Sequence, residues 1–147
     1  DYFPYQILII LIFLQIIMGA FVSGLNAGLI YQTWPMMEKS YFPDDVILYT
    51  YMNLLDFNNH SLVQFYHRNL AYFIIVYVIS LAFIIYKKKK KKLYNALMLL
   101  LFVILIQIFL GIITLLSGVN MYLASAHQIT GVLLIFSTIN LYYLNAK

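Results

Sequence analysis

Charge is missing from three long stretches of this 147-residue chain, Tyr2 to Met37, Asn69 to Tyr86 and Leu93 to Ala146. An α-helix needs about 20 apolar residues to cross about 30 Å of hydrocarbon. Only helices and closed barrels can do so, because lipid offers no partner to an open backbone N–H or C=O. The first gap fits one helix, residues 5–29, and the second fits residues 61–86. The third is too long for one span, and Ser117-Gly118-Val119-Asn120 divides it into residues 93–116 and 122–144. The predicted fold class is all-α, an integral membrane four-helix bundle forming a single domain. Composition agrees, with 64% hydrophobic and 10% charged residues, against about 45–50% and about 25% in soluble domains. The chain has no cysteine. That excludes a disulfide scaffold, a thiolate metal site, a thiolate-bound haem and a Cys nucleophile.

Six of the nine cations form one run, Lys87 to Lys92. Without it the net charge of +4 becomes 4 − 6 = −2, so the basic balance is no argument for nucleic acid. A short basic loop faces the cytoplasm or the mitochondrial matrix, which places both ends of the chain on that side. The opposite loop, residues 30–60, carries Glu38, Asp44, Asp45 and Asp56 against Lys39. Trp34-Pro35 falls where an interfacial aromatic anchor belongs. Asp44-Asp45 is placed to cap a short helix laying Val46, Ile47, Leu54 and Leu55 on the membrane surface; a packed loop with one helical turn is the competing reading. Asp1 and the length of the first apolar run argue against a signal peptide. The lack of an initiator Met suggests a piece of a longer protein.

Gln15-Ile16-Ile17-Met18-Gly19 recurs as Gln107-Ile108-Phe109-Leu110-Gly111, each midway along an odd-numbered span. Each is followed by a helix end rich in small residues and then by a helix containing a His. The two hairpins therefore read as a duplicated unit running in one sense, a parallel repeat.

His67 stands 20 residues before Lys87, and His127 stands 20 before Lys147. At 1.5 Å per residue that is about 30 Å of helix, so the two imidazoles share one depth near the outer leaflet. Two ring nitrogens at one height on separate helices suit bis-imidazole ligation of haem b inside a bundle. Ala71 and Gly131 follow their histidines by one helical turn on the same face, leaving room for a flat macrocycle. Arg68, the only arginine, is placed either to meet a haem propionate or to snorkel to the head groups. The competing reading of the pair is two polar residues bonding across helices, though ionisable groups inside a membrane are usually functional. His60, two turns outward, reads as a solvated interfacial residue. Ala20, Gly24 and Gly28 form a small-residue ridge, for close helix packing or for porphyrin clearance.

No carboxylate lies within a span, and no phosphate-binding loop or Ser/His/Asp set is present. A proton relay or a catalytic acid has to come from elsewhere.

The run Gly19 to Leu29 followed by Tyr31-Gln32-Thr33-Trp34-Pro35-Met36-Met37 resembles the fifth helix and following loop of haem A synthase. Val63 to Tyr72, containing Gln64, His67 and Arg68, resembles that family's sixth helix. Gln107 to Gly111 with Thr114 is similar to the seventh, and Ala126-His127-Gln128 with Gly131 to the eighth. The likeness is to the cysteine-poor branch of alphaproteobacteria and mitochondria, so it implies a multi-pass protein of the bacterial plasma membrane or the mitochondrial inner membrane. It further implies the C-terminal half of an eight-helix duplicated architecture that oxidises a methyl group of haem O to the formyl group of haem A, for cytochrome c oxidase. This half would carry haem b between His67 and His127 and pass electrons. The substrate haem and a catalytic Glu, three residues before an axial His, belong to the other half; here that place is held by neutral Gln64. Asn26 also departs from an Asp common in relatives. The implied partners are membrane lipid, the N-terminal half, haem O and the farnesyltransferase that makes it, with a homo-oligomer left open. A stand-alone b-type electron-transfer cytochrome and a haem-free assembly subunit are the alternatives.

Overall fold

The computed structural model describes residues 2–47 and 51–147. Four helices carry the chain, α1 (Phe3–Gly24), α2 (His60–Lys87), α3 (Tyr94–Leu116) and α4 (Met121–Ala146). Each is long and apolar enough to cross a membrane. No strand occurs among the described residues.

Local chemistry sets the helix ends. Asn59 accepts from Leu62 N–H at 3.0 Å and starts α2. Asn120 accepts from the N–H groups of Tyr122 and Leu123 at 3.0 and 3.4 Å and starts α4. Such caps satisfy backbone donors that the first helical turn leaves free. The first span was predicted to run to Leu29, but α1 stops at Gly24. Asn26 takes a left-handed conformation, φ 52°, which its short polar side chain tolerates. A single 3-10 turn, Ala27–Leu29, follows. The Ala20–Gly24–Gly28 ridge is accordingly not one helical stripe. Gly24 faces open space, whereas a methyl group on Gly28 would stand 2.9 Å from Val119. Gly28 is bare so that the α3–α4 turn can press against the 3-10 turn.

The expected surface helix after Asp44-Asp45 is not formed as drawn. Val46 and Ile47 are irregular, residues 48–50 lie outside the described ones, and residues 51–55 form a 3-10 turn. Neither aspartate is free to cap it. Asp44 accepts from Ser40 Oγ at 2.5 Å, and Asp45 takes hydroxyl bonds from Tyr31 and Ser61.

In the bundle α1 packs against both α2 and α4, and α3 packs against α4, while α2 and α3 meet only sparsely. The apolar core sits toward the lysine-loop end: Tyr5, Leu8 and Ile12 of α1 meet Val78, Leu81 and Ile85 of α2, Leu97 and Leu100 of α3, and Leu141 of α4. Tyr77 OH donates to Pro4 O at 2.8 Å, and Lys90 Nζ donates to Asn145 Oδ1 at 2.8 Å, closing the base. With the base filled, the half of the bundle beneath the long loop is left to form a site.

Lipid is as apolar as leucine, so such a core is held by close packing rather than by escape from water. Leu100→Ala is expected to lower unfolding stability in detergent by about 2–5 kcal/mol through the cavity it leaves. Leu105→Ala, at a position 65% exposed on the bundle surface, is expected to change it little. Equal losses in a denaturant titration would contradict this core.

Candidate haem-binding cavity

Beneath the long loop lies a cavity of about 660 Å³ walled by all four helices, within the roughly 300–1,000 Å³ usual for small-molecule sites. His67 and His127 both line it. So do Arg68, Ala71 and Gly131, which brings every sequence-predicted site residue to one place. His60, the exposed first residue of α2, stays outside.

The duplicated motif builds the site twice. Gln15 on α1 donates through Nε2 to His67 O at 3.1 Å, and Gln107 on α3 donates to His127 O, also at 3.1 Å. One turn further along each of those helices a glycine lies against the ring. A methyl group on Gly19 would stand 3.3 Å from His67 Cε1, and one on Gly111 would stand 3.0 Å from His127 Cε1. The bare backbone of α1 and α3 thus makes the seat for each imidazole, while the glutamine bolts the His backbone to the neighbouring helix. Gly131 has a related use, since a methyl group there would come within 3.4 Å of Gln107 Nε2.

The two halves differ in detail. Gln15 Nε2 also lies 3.2 and 3.3 Å from the two ring nitrogens of His67. Gln107 makes no such ring contact among the described residues; its Oε1 accepts from the Thr130 hydroxyl instead.

Arg68 neither snorkels nor points freely into the cavity. Its Nη1 donates to Thr33 O at 2.9 Å and Met36 O at 3.3 Å. Its Nη2 donates to Tyr31 O at 2.9 Å and Gln64 Oε1 at 3.1 Å. Gln64, only 3% exposed, donates in turn to Ala27 O and Tyr31 O at 3.0 and 3.1 Å. Together these two side chains hold residues 27–36 down over the cavity, and Trp34 reaches its wall. Asp45 clasps the same loop from the other side, accepting from Tyr31 OH at 2.6 Å and Ser61 Oγ at 2.7 Å. Partial burial works against the Asp45 charge, but the two hydroxyl donors outweigh it and hold the carboxyl below its ordinary value.

Among the described residues, five buried side-chain atoms lack a hydrogen-bond partner: Gln15 Oε1, Arg68 Nε, Tyr72 OH, Thr114 Oγ1 and His127 Nδ1. All five belong to residues of the cavity wall. An unsatisfied buried polar atom costs about 1–3 kcal/mol, so the cavity suits a ligand that is mostly apolar and carries polar groups. Tyr72 and Thr114 had drawn no attention in the sequence as polar donors, since nothing in apolar helices marks which hydroxyl faces inward. Gln15 and Gln107 carried a signal, their repetition, without showing what they touch.

A carboxyl held low in the folded state stabilises at pH values above its unfolded value of 3.8, and that contribution disappears as pH falls through the lower folded value. The loop is therefore expected to loosen under acid and in Asp45→Asn at neutral pH. Faster hydrogen exchange over residues 30–45 checks this; unchanged exchange in the variant would contradict the clasp.

The chain matches the family of cytochrome oxidase assembly proteins, COX15-CtaA, over residues 4–139. It is 45% identical over 137 residues to a haem A synthase of Pelagibacter ubique, covering 93% of this chain and 40% of that protein. To a haem A synthase of Wolbachia pipientis it is 41% identical over 144 residues, covering 94% and 37%. A haem A synthase of Flavobacterium psychrophilum is 39% identical over 136 residues, covering 90% and 40%. No solved structure matches. The chain spans about two fifths of the length of these curated relatives. A family match over nearly the whole chain, with four helices fit to span a bilayer, makes this a multi-pass membrane protein that belongs to the cytochrome oxidase assembly protein family.

Proposed function

We propose that this chain is the cofactor-holding half of a haem A synthase, with haem b bound between His67 and His127. The observation that carries the reading is the pair of imidazoles on α2 and α4 reaching one cavity, each seated on a glycine and tied by the same glutamine. Two imidazoles are two ligands, and among the described residues no three His, Asp, Glu or Cys side chains gather for a bare metal ion. A macrocycle that brings its own four equatorial nitrogens needs just the two axial ones. The walls support this fit: apolar side chains for the ring faces, and unpartnered donors at Arg68, Tyr72 and Thr114 for polar substituents.

Haem iron would supply one-electron chemistry to this half. The protein's own part would be to supply the His67 and His127 ring nitrogens, to cover the cavity with the loop over residues 27–36, and to offer Arg68 Nε to a propionate. Its Nη groups are spent on loop carbonyls and on Gln64 Oε1, so Nε is the donor left for a carboxylate. Ala71 and Gly131 keep the turn beyond each histidine slim.

Gln64 stands where the catalytic half of the family has its glutamate, and its amide is committed to Ala27, Tyr31 and Arg68. It is a strut for the loop, with no acid to lend. Oxidation of haem O to haem A therefore belongs to an N-terminal half not present in this sequence, and this half passes electrons. Haem O, the farnesyltransferase that makes it and membrane lipid are the proposed partners. The lysine loop and both ends face the cytoplasm or matrix of a bacterial plasma membrane or mitochondrial inner membrane.

Reconstitution with haem tests the reading. The protein is expected to show a low-spin b-type absorption spectrum, lost in His67→Ala and in His127→Ala and retained in His60→Ala. A spectrum lost only in His60→Ala would assign the ligands wrongly. Gly111→Ala, which drives a methyl group to 3.0 Å from the His127 ring, is expected to retain several-fold less haem than Gly24→Ala, where nothing lies within 4 Å. Haem A formed by this chain alone from haem O would overturn the division of labour.

A further inference from the structure

The side of the bundle between α2 and α3 is left open. These two helices meet only sparsely, although a short loop joins them. Along the seam runs a groove of about 390 Å³ lined by apolar side chains alone, with Ile75 and Ile79 from α2 and Met98, Leu101, Leu105 and Ile108 from α3. Positions three, four and seven apart share a helix face, so each stripe can be followed toward the lysine loop. The α2 stripe leads from Ile75 and Ile79 to Tyr86, and the α3 stripe leads from Ile108 through Leu101 and Met98 to Tyr94. There the two tyrosine rings stack, with centroids 6.4 Å apart. Past them come the six lysines. Lys90 turns inward, its Nζ bonded to Asn145 Oδ1 at 2.8 Å and 5.6 Å from the centroid of the Tyr5 ring. The other five are exposed, and no Asp or Glu occurs in the whole hairpin, residues 60–116.

We propose that this seam binds an anionic phospholipid, its phosphate at the exposed lysines and an acyl chain in the groove. Cations, tyrosines and apolar groove follow one another along one face in the order in which a phospholipid presents phosphate, ester and chain. Tyrosine rings settle at head-group level, with one end apolar and the other wet. Ile75 lies 11 residues before Tyr86, about 16 Å of helix, which matches the hydrocarbon of one leaflet, about 15 Å. Lysines beside a membrane attract anionic head groups, and the hairpin offers these five no carboxylate of its own. Charge alone would hold such lipids at the surface without choosing a place; the groove supplies the place. Its width selects a chain over a protein helix. Met98 to Ile108 spans about 15 Å, so a volume of about 390 Å³ leaves a channel about 5 Å across, whereas a helix is about 10–12 Å across. Ile75 and Ile108 also line the histidine cavity, so a chain in the groove closes the side that α2 and α3 leave open.

The purified chain in mixed micelles of phosphatidylglycerol and phosphatidylcholine, in equal amounts and with identical acyl chains, tests the site through mass spectrometry of the lipid it retains. The wild type is expected to retain several-fold more phosphatidylglycerol than phosphatidylcholine. Joint replacement Lys88→Gln, Lys89→Gln, Lys91→Gln and Lys92→Gln, which spares the bond of Lys90 to Asn145, is expected to abolish that preference. Ile79→Trp fills the groove, leaves every charge in place and is expected to retain several-fold less phosphatidylglycerol. Circular dichroism checks that each variant keeps its helices, and if the glutamine variant does not, Ile79→Trp decides alone. Undiminished phosphatidylglycerol in Ile79→Trp would reduce the effect to unlocalised charge attraction and overturn the site. So would a wild type without preference between the two lipids. Phosphatidylglycerol lost when the chain is joined to the N-terminal half proposed above would give the groove to a protein partner, and would equally overturn it.

Discussion

Each histidine is held by one helix–helix contact made of two parts, a glutamine amide on the His carbonyl and a glycine under the ring. The rest of the site depends on this contact. Without the glycine the ring has no seat, and without the amide the helix pair has no polar register. Inside lipid that register matters, since apolar side chains on every face give a helix little reason to prefer one rotation over another. A buried polar bond between helices supplies the preference. Because α1–α2 and α3–α4 use the same bond, two imidazoles arrive in one cavity from opposite hairpins.

The bundle divides along its length. Large apolar side chains close the lysine-loop end, and the other end is left open enough for a ligand-sized cavity. The long loop then becomes the cavity's cover, held by Arg68 and Gln64 through backbone carbonyls and by Asp45 through hydroxyls. Arg68 makes three bonds to carbonyls of the cover and one to Gln64 Oε1, and its remaining donor, Nε, is buried without a partner.

Much of this was legible in the sequence. Charge gaps located the four helices because hydrocarbon excludes ionised groups, and His67 and His127, each 20 residues before a lysine, line one cavity. The cavity is lined by His67, Arg68, Ala71, His127 and Gly131 together. Other features were not legible. The end of α1 at Gly24 follows from a left-handed Asn26, which hydropathy cannot register. The role of Asp45 was read as local capping, whereas its partners Tyr31 and Ser61 lie far along the chain. Arg68 was weighed against a propionate and the head groups, and its carbonyl partners come from a loop whose path no periodicity describes.

The amino-acid order by itself determined the number of helices and the repeated Gln-x-x-x-Gly motif, since the first follows from length and charge and the second stands in the sequence itself. Tertiary structure alone decided how each helix is rotated about its axis. That rotation puts glycine under one ring and threonine beside one glutamine, and so makes two repeated halves chemically unequal. The physical reason is that depth is a property of one helix in a bilayer, whereas facing is a property of two helices in contact.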